Sequence, residues 1–306
     1  MDFSVRVKLL AALAALVLAS AAAPPALLLR EQAWTAPGAT LAHDLTHAQG
    51  ECLAARTPEA EIGRALFRTP VLLGGPAARA GLSCNACHSN GGINTRFLLP
   101  ELTDRAGHAD VTSEWASEVR GDGVLNPLPI PDLAGVSGHS AFGQAREPSF
   151  EEFVRKVIVE EFQGEAPPQQ AFDGMMAYLR ALRLDACPPD DVAVTLETAA
   201  DDVRRAVAAA ESAEPQTARL LLLAGQDAIG RIVERLPARL FGGERRAFET
   251  LARELGALRR AGDLNTAMSA ALPGWRARFD ASVARIGRRE ARTYFNEATL
   301  QRDLAR

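Results

Sequence analysis

The sequence predicts a mainly α-helical chain in two parts, a loop-rich first part and an antiparallel helical bundle. Three observations predict it. Apolar residues recur at i, i+3, i+4 and i+7 in the periodic segments. No segment shows strand-like alternation of useful length. After residue 189 the composition turns to Ala, Leu, Arg and Glu, cut into helix-length pieces by Pro and Gly. The expected boundaries are 1–29 for an export segment, 30–189 for the first domain and 190–306 for the bundle.

Arg6 and Lys8 precede an unbroken apolar run over residues 9–19, and Ala19-Ser20-Ala21 offers a small-x-small cleavage site. This is the layout of a signal peptide. The apolar character continues to Leu29, close to the ~20 residues a membrane span needs. An uncleaved N-terminal anchor is therefore the alternative, against which Pro24-Pro25 interrupts the run. Both readings put the remainder in the periplasm or another extracytoplasmic space, tethered to the membrane under the second, with the basic residues left inside.

Residues 22–56 look irregular. Thr57-Pro58 then supplies a cap with proline at the first helical position. It opens a helix over 59–68 with Ile62, Leu66 and Phe67 on one face. Residues 69–83 read as a Gly/Pro loop. The stretch 89–148 is irregular and rich in Gly and Pro. Loops this long are uncommon in compact domains unless they wrap something. Ser149, with Glu152 three residues on, fits a capping box and opens a helix to about 162. A second helix is expected over 169–183, its apolar face formed by Phe172, Met175, Met176, Leu179 and Leu182. In the bundle, helices are expected near 193–213, 216–236, 244–261 and 274–298. Pro215, Pro237, Gly242-Gly243, Gly262 and Pro273 are the expected separators.

Composition narrows the function. The chain has 306 residues, 34 basic and 38 acidic, and is 47% hydrophobic. A disordered chain and a polytopic membrane protein are excluded, and no basic excess points to nucleic acid. Residues 22–189 carry a net charge of −7 and residues 190–306 a net charge of +2. Arg285, Arg288, Arg289 and Arg292 would form one basic helix face, either solvated or docking an acidic partner.

Cys84-Asn85-Ala86-Cys87-His88 is C-x-x-C-H, the attachment signature of c-type haem. The spacing has a physical reason. Positions i and i+3 of a helical turn share one side, so Cys84 and Cys87 can reach the two vinyl groups along one haem edge. His88 follows at once and can ligate the iron as proximal ligand. Attachment of this kind occurs outside the cytoplasm, which the export segment independently provides. The competing readings are a zinc site, which would need further ligands beyond one C-x-x-C pair, a redox dithiol, and a disulfide between the two. Cys52 and Cys187 flank the first domain, and thiols in an oxidising compartment tend to pair. A Cys52–Cys187 disulfide is expected, with two free buried thiols as the alternative.

On these residues, segment 59–184 resembles cytochrome c domains and in particular the di-haem peroxidase and MauG-like group. Ile62-Gly63-Arg64-Ala65-Leu66-Phe67 ahead of Ser83-Cys84 is similar to that group's G-R-x-L-F helix leading to S-C-x-x-C-H. Pro129-Ile130-Pro131-Asp132-Leu133, Phe150-Glu151-Glu152-Phe153-Val154 and Met176-Ala177-Tyr178-Leu179-Arg180-Ala181-Leu182 resemble its later segments. Members of the group carry two haems, whereas this chain has a single C-x-x-C-H. Their distal Met has no counterpart over residues 153–162. The resemblance implies a cytochrome c-like haem domain with long loops and one covalent haem c.

The candidates for the second axial ligand are His43, His47, His108, His139, Met175, Met176 and Met268. His139 follows the P-x-L segment and is the first choice, Met175 or Met176 the second, and an open five-coordinate iron the alternative. His43 and His47 read as a solvated surface pair. Pro100, twelve residues after His88, is the candidate carbonyl for the His88 N–H, with Pro131 competing. The expected function is single-electron transfer by an exported mono-haem c-type cytochrome between redox partner proteins. The alternatives are a peroxidase-like haem enzyme with an open distal site and a haem-based sensor or assembly module.

Overall fold

The computed structural model describes residues 27–188 and 191–306. The export segment lies outside the described residues up to residue 26. Leu29, assigned to that segment, is buried with Leu45, Tyr294 and Leu300. No helix among the described residues is long and apolar enough to cross a membrane.

The chain is mainly helical. Eleven α-helices are described: α1 (Leu41–Thr46), α2 (Pro58–Phe67), α3 (Gly75–Arg79), α4 (Cys84–Cys87), α5 (Phe150–Lys156), α6 (Gln169–Ala181), α7 (Leu196–Ser212), α8 (Pro215–Glu234), α9 (Ala238–Arg259), α10 (Leu264–Gly287) and α11 (Glu297–Leu304). The strands are two-residue pairs, β1 (His47–Ala48) with β4 (Val192–Ala193) and β2 (His108–Ala109) with β3 (Leu128–Pro129).

Local chemistry accounts for the starts of these helices. Thr57 accepts a hydrogen bond from the Ala60 N–H at 3.2 Å, with Pro58 in the first helical position, so orphan donors at the terminus find a partner. Ser149 accepts from the Glu152 N–H at 3.2 Å. The reciprocal half of the expected box is not made, because the Glu152 side chain turns to Lys156, 3.9 Å away. The expected helix over 150–162 changes pitch within its span: Val157–Glu161 is a π turn. The 69–83 loop is more ordered than expected, holding a 3₁₀ turn at Pro70–Leu72 and α3.

Helices α2 and α6 cross where glycine faces glycine. A Cβ on Gly63 would lie 2.0 Å from the Gly174 carbonyl oxygen, and one on Gly174 would lie 2.6 Å from Ile62 Cγ2. Only bare backbone permits this approach, which packs Phe67 against Tyr178 with ring centroids 5.1 Å apart and planes tilted by 54°. Helix α2 also packs on α7 and α8, so one apolar core runs from Ile62 through Met176 to Ile286. The composition changes near residue 189, but the core is continuous across it.

Short connections at 213–214, 235–237 and 260–263 join α7 to α10, and α10 returns against α7. Links this short make neighbours antiparallel. Two expected separators are absorbed. Gly242-Gly243 sits inside α9, where the helix kinks at Phe241 (φ −129°) and continues. Pro273 sits inside α10. Burial of Leu272, Trp275 and Phe279, and a 3.0 Å bond from the Trp275 indole N–H to the Leu251 carbonyl, offset the lost backbone bond. The expected last helix is also corrected. Helix α10 ends at Gly287, and Arg288, Arg289 and Arg292 lie beyond it, so the arginine run is not one helix face. Arg289 folds back over the Phe241 ring and onto Glu244 and the Leu240 carbonyl.

Cys52 and Cys187 form a disulfide across a sequence separation of 135 residues. Backbone bonds from Ala54 to Ala181 and from Arg183 to Cys52, at 2.9 and 2.8 Å, align the two segments.

Candidate functional site

The C-x-x-C-H segment folds as the one-turn helix α4, capped by His88, whose N–H returns to the Cys84 carbonyl at 2.9 Å. Its surroundings hold it in place. Asn94 donates to the Ala86 carbonyl at 2.7 Å, the Asn90 N–H donates to the Asn85 side chain at 2.9 Å, and Arg68 reaches both Asn85 and Asn90. Gly91 takes φ +88°, with Leu182 where a Cβ would stand. The turn after the motif therefore requires glycine.

His88 Nδ1 lies 3.0 Å from the Pro131 carbonyl. A carbonyl only accepts, so Nδ1 carries the proton and Nε2 keeps its lone pair. Burial pushes His88 down to about 4, against the Pro131 bond and the Asp132 charge, and the ring is neutral at pH 7. The carbonyl that meets His88 is that of Pro131, the competing candidate. Pro100 is exposed, in the turn that follows Leu99.

Cys84, Cys87 and His88 all line one cavity of about 720 Å³, within the range of roughly 300–1,000 Å³ usual for ligand and cofactor sites. Its walls are mostly apolar and include Phe67, Ile130, Phe142, Val154, Met175 and Leu179. The irregular 89–148 stretch, α5, the π turn and α6 all contribute, so the long loops do wrap a space. Cys84 and Cys87 are free thiols. Burial pushes Cys84 up to about 11 and Cys87 up to about 12, where the neighbouring Cys84 adds to it. A redox dithiol wants the opposite, a depressed thiol.

The other sequence candidates scatter. Of the seven, Met175 alone lines this cavity. His139 is exposed, at the end of the 3₁₀ turn Val136–Gly138, and is outside the lining. Met176 and Met268 are core residues, as methionines on apolar helix faces usually are. His108 pairs in β2 and meets Arg105 at 3.2 Å. His43 and His47 stack against each other beside Glu297.

Two polar residues of the wall were not anticipated. Glu161 is buried, and burial pushes its carboxyl up to about 7, with Arg120 opposing and Glu160 adding. Arg120 stands 3.3 Å away. In the sequence Glu160-Glu161 is an ordinary acidic pair. The π turn buries Glu161 and leaves Glu160 half-buried.

A second cavity, of about 830 Å³ and more polar than the first, is lined in part by Asn85, Asn90 and a set of paired charges. In its wall Asp202 accepts from Arg64 at 2.7 Å and Arg68 at 3.2 Å. Arg64 is shared with Glu51, which also accepts from the Tyr178 hydroxyl at 2.9 Å. Burial, the largest single effect on Asp202, pushes its carboxyl up. Arg68, Arg64 and Arg231 together outweigh it and hold the group well below the usual carboxylate range.

No family model, curated protein or solved structure matches the chain.

Proposed function

We propose that the protein is an exported mono-haem c-type cytochrome whose first part is a cytochrome c-like haem domain and which passes single electrons between partner proteins. The observation that carries this reading is the convergence of Cys84, Cys87 and His88 on one apolar cavity of about 720 Å³. The residues present fit the group. Two thiols at i and i+3 suit thioether attachment along one edge. A neutral imidazole with Nδ1–H committed to Pro131 leaves Nε2 for iron, and such a partner orients the ring and raises its basicity. Bound there, haem would supply a one-electron Fe(III)/Fe(II) couple. The apolar walls would keep water from it, and the Cys52–Cys187 disulfide agrees with an oxidising compartment.

The test is maturation of the full chain in a host with haem-ligation machinery. A pigment that stays with the polypeptide through denaturation and acidified organic solvent is expected, and it should be lost on Cys84→Ser with Cys87→Ser. A colourless product would overturn the reading.

Glu161 favours a second reading, a haem enzyme or sensor with an open distal side. A carboxyl that titrates near neutrality in a cavity wall can exchange protons with a bound ligand. Carbon monoxide separates the two readings. A reduced spectrum that does not respond fits the carrier, and ready binding fits the enzyme or sensor.

A further inference from the structure

We propose that His43, His47 and Glu297 form a site for a divalent transition ion of the Zn²⁺ class, joining the N-terminal segment to the C-terminal helix. The site is separate from the C-x-x-C-H cavity and does not rest on the haem reading. One donor atom from each of the three residues lies within 4.8 Å of the others. His43 Nδ1 is 3.2 Å and His47 Nδ1 3.9 Å from Glu297 Oε2. Tetrahedral ligands on bonds of about 2.0–2.2 Å sit roughly 3.3–3.5 Å apart. Of the three edges, His43–Glu297 is therefore in place, His47–Glu297 needs a closure of about half an ångström, and the His43–His47 edge, bounded at 4.8 Å, closes by up to about 1.5 Å as the rings splay.

Two imidazoles and one carboxylate are a zinc set, with water completing the fourth position. The nitrogen donors argue against calcium and magnesium, which take oxygen. The surroundings carry a second, independent feature. His43 Nε2, the nitrogen facing away from the proposed ion, lies 3.1 Å from Asp191 Oδ1. A carboxylate on the far nitrogen of a ligating histidine fixes its tautomer and orientation. The two rings now lie stacked, centroids 4.1 Å apart and 17° from parallel. Sharing an ion requires them to splay about χ2, a torsion with broad wells, and neither ring is fully buried. The His47 nitrogen also meets the Thr46 hydroxyl at 3.2 Å, a contact the ion would replace with release of any proton held there.

Placement gives the ion a role. His43 lies in α1, His47 in β1 and Glu297 opens α11, while Asp191 adjoins β4, the partner of β1. Helix α11 already packs on α1 through Leu45 and Leu300. An ion at its first residue would latch the C-terminal helix to this junction.

The experiment is titration of the full matured chain with Zn²⁺ alone, read by competition with a chromophoric chelator, by metal count and by thermal melting. One Zn²⁺ per chain is expected, with a melting midpoint that rises on binding. His43→Ala, His47→Ala and Glu297→Gln should each weaken binding at least tenfold, and Asp191→Asn by about tenfold or more. Cys84→Ser with Cys87→Ser should retain the site, which separates it from adventitious thiol binding. Circular dichroism checks each fold, and Glu297→Gln, exposed and isosteric, decides if a histidine variant does not fold. Absence of bound Zn²⁺, or affinity unchanged in Glu297→Gln, would overturn the proposal.

Discussion

Glu161→Gln should stabilise the protein at alkaline pH and leave it nearly unchanged in acid. Burial raises the folded-state value from 4.5 to about 7. The unfolded chain therefore gives up this proton about 2.5 units earlier than the folded one. At about 1.4 kcal/mol per unit, the cost of carrying the buried charge is about 3 kcal/mol. The sign follows from the direction of the shift. Below about pH 4.5 both states hold the proton and there is no cost. The cost grows as pH rises towards 7 and is constant above. Glutamine keeps the shape, carries no charge and leaves Arg120 at 28% side-chain exposure, able to find water. Guanidinium unfolding of both proteins near pH 4 and at pH 8 measures the difference. Equal differences at the two pH values, or a variant less stable at pH 8, would refute the assignment of Glu161 as a buried, neutral-range carboxyl.

Three further outcomes follow from the packing and the charges. Gly63→Ala should destabilise by about 1–3 kcal/mol or more, as overpacking does, because the new Cβ meets backbone at 2.0 Å; helix propensity alone predicts the opposite sign, so a chemical denaturation curve decides. Asp202→Ala leaves Arg64 and Arg68 short of their shared partner and should cost about 3–5 kcal/mol. In the parent the Asp202 contribution is present above about pH 4 and is lost as pH falls through its depressed value, so acid unfolding of parent and variant should converge. Cys52→Ser with Cys187→Ser opens a loop of 135 residues and should lower stability by up to about 5 kcal/mol in the chain-entropy model, read by the same denaturation in the absence of reductant.

Legibility in the sequence tracked how local the determining physics was. Thr57-Pro58 and Ser149 mark their helices because a cap is made within three residues. The apolar face of Phe172, Met175, Met176 and Leu179 is buried because its spacing obeys the helix period. The Cys52–Cys187 pairing is legible from the count of cysteines, two of the four lying outside the C-x-x-C-H motif. What failed depended on partners far along the chain. Gly242-Gly243 and Pro273 read as breaks, yet aromatic burial carries both helices through. His139 sits three residues past Val136, which does line the cavity, but the turn at Val136–Gly138 leaves it in solvent. Spacing from His88 favours Pro100 over Pro131, yet the fold of the 89–148 loop brings the Pro131 carbonyl to His88 instead. Glu161 has no sequence signal at all, because a π turn cannot be distinguished by periodicity from the α-turn it replaces.

The Cys52–Cys187 bond has a topological consequence. It closes residues 52–187 into a covalent ring that contains the C-x-x-C-H turn, the long loops and both helices α2 and α6. A single protease cut in the exposed stretch around Val124 and Leu125 would therefore nick the ring without shedding a fragment. The cleaved chain should migrate as one species on a non-reducing gel and as two once the bridge is reduced.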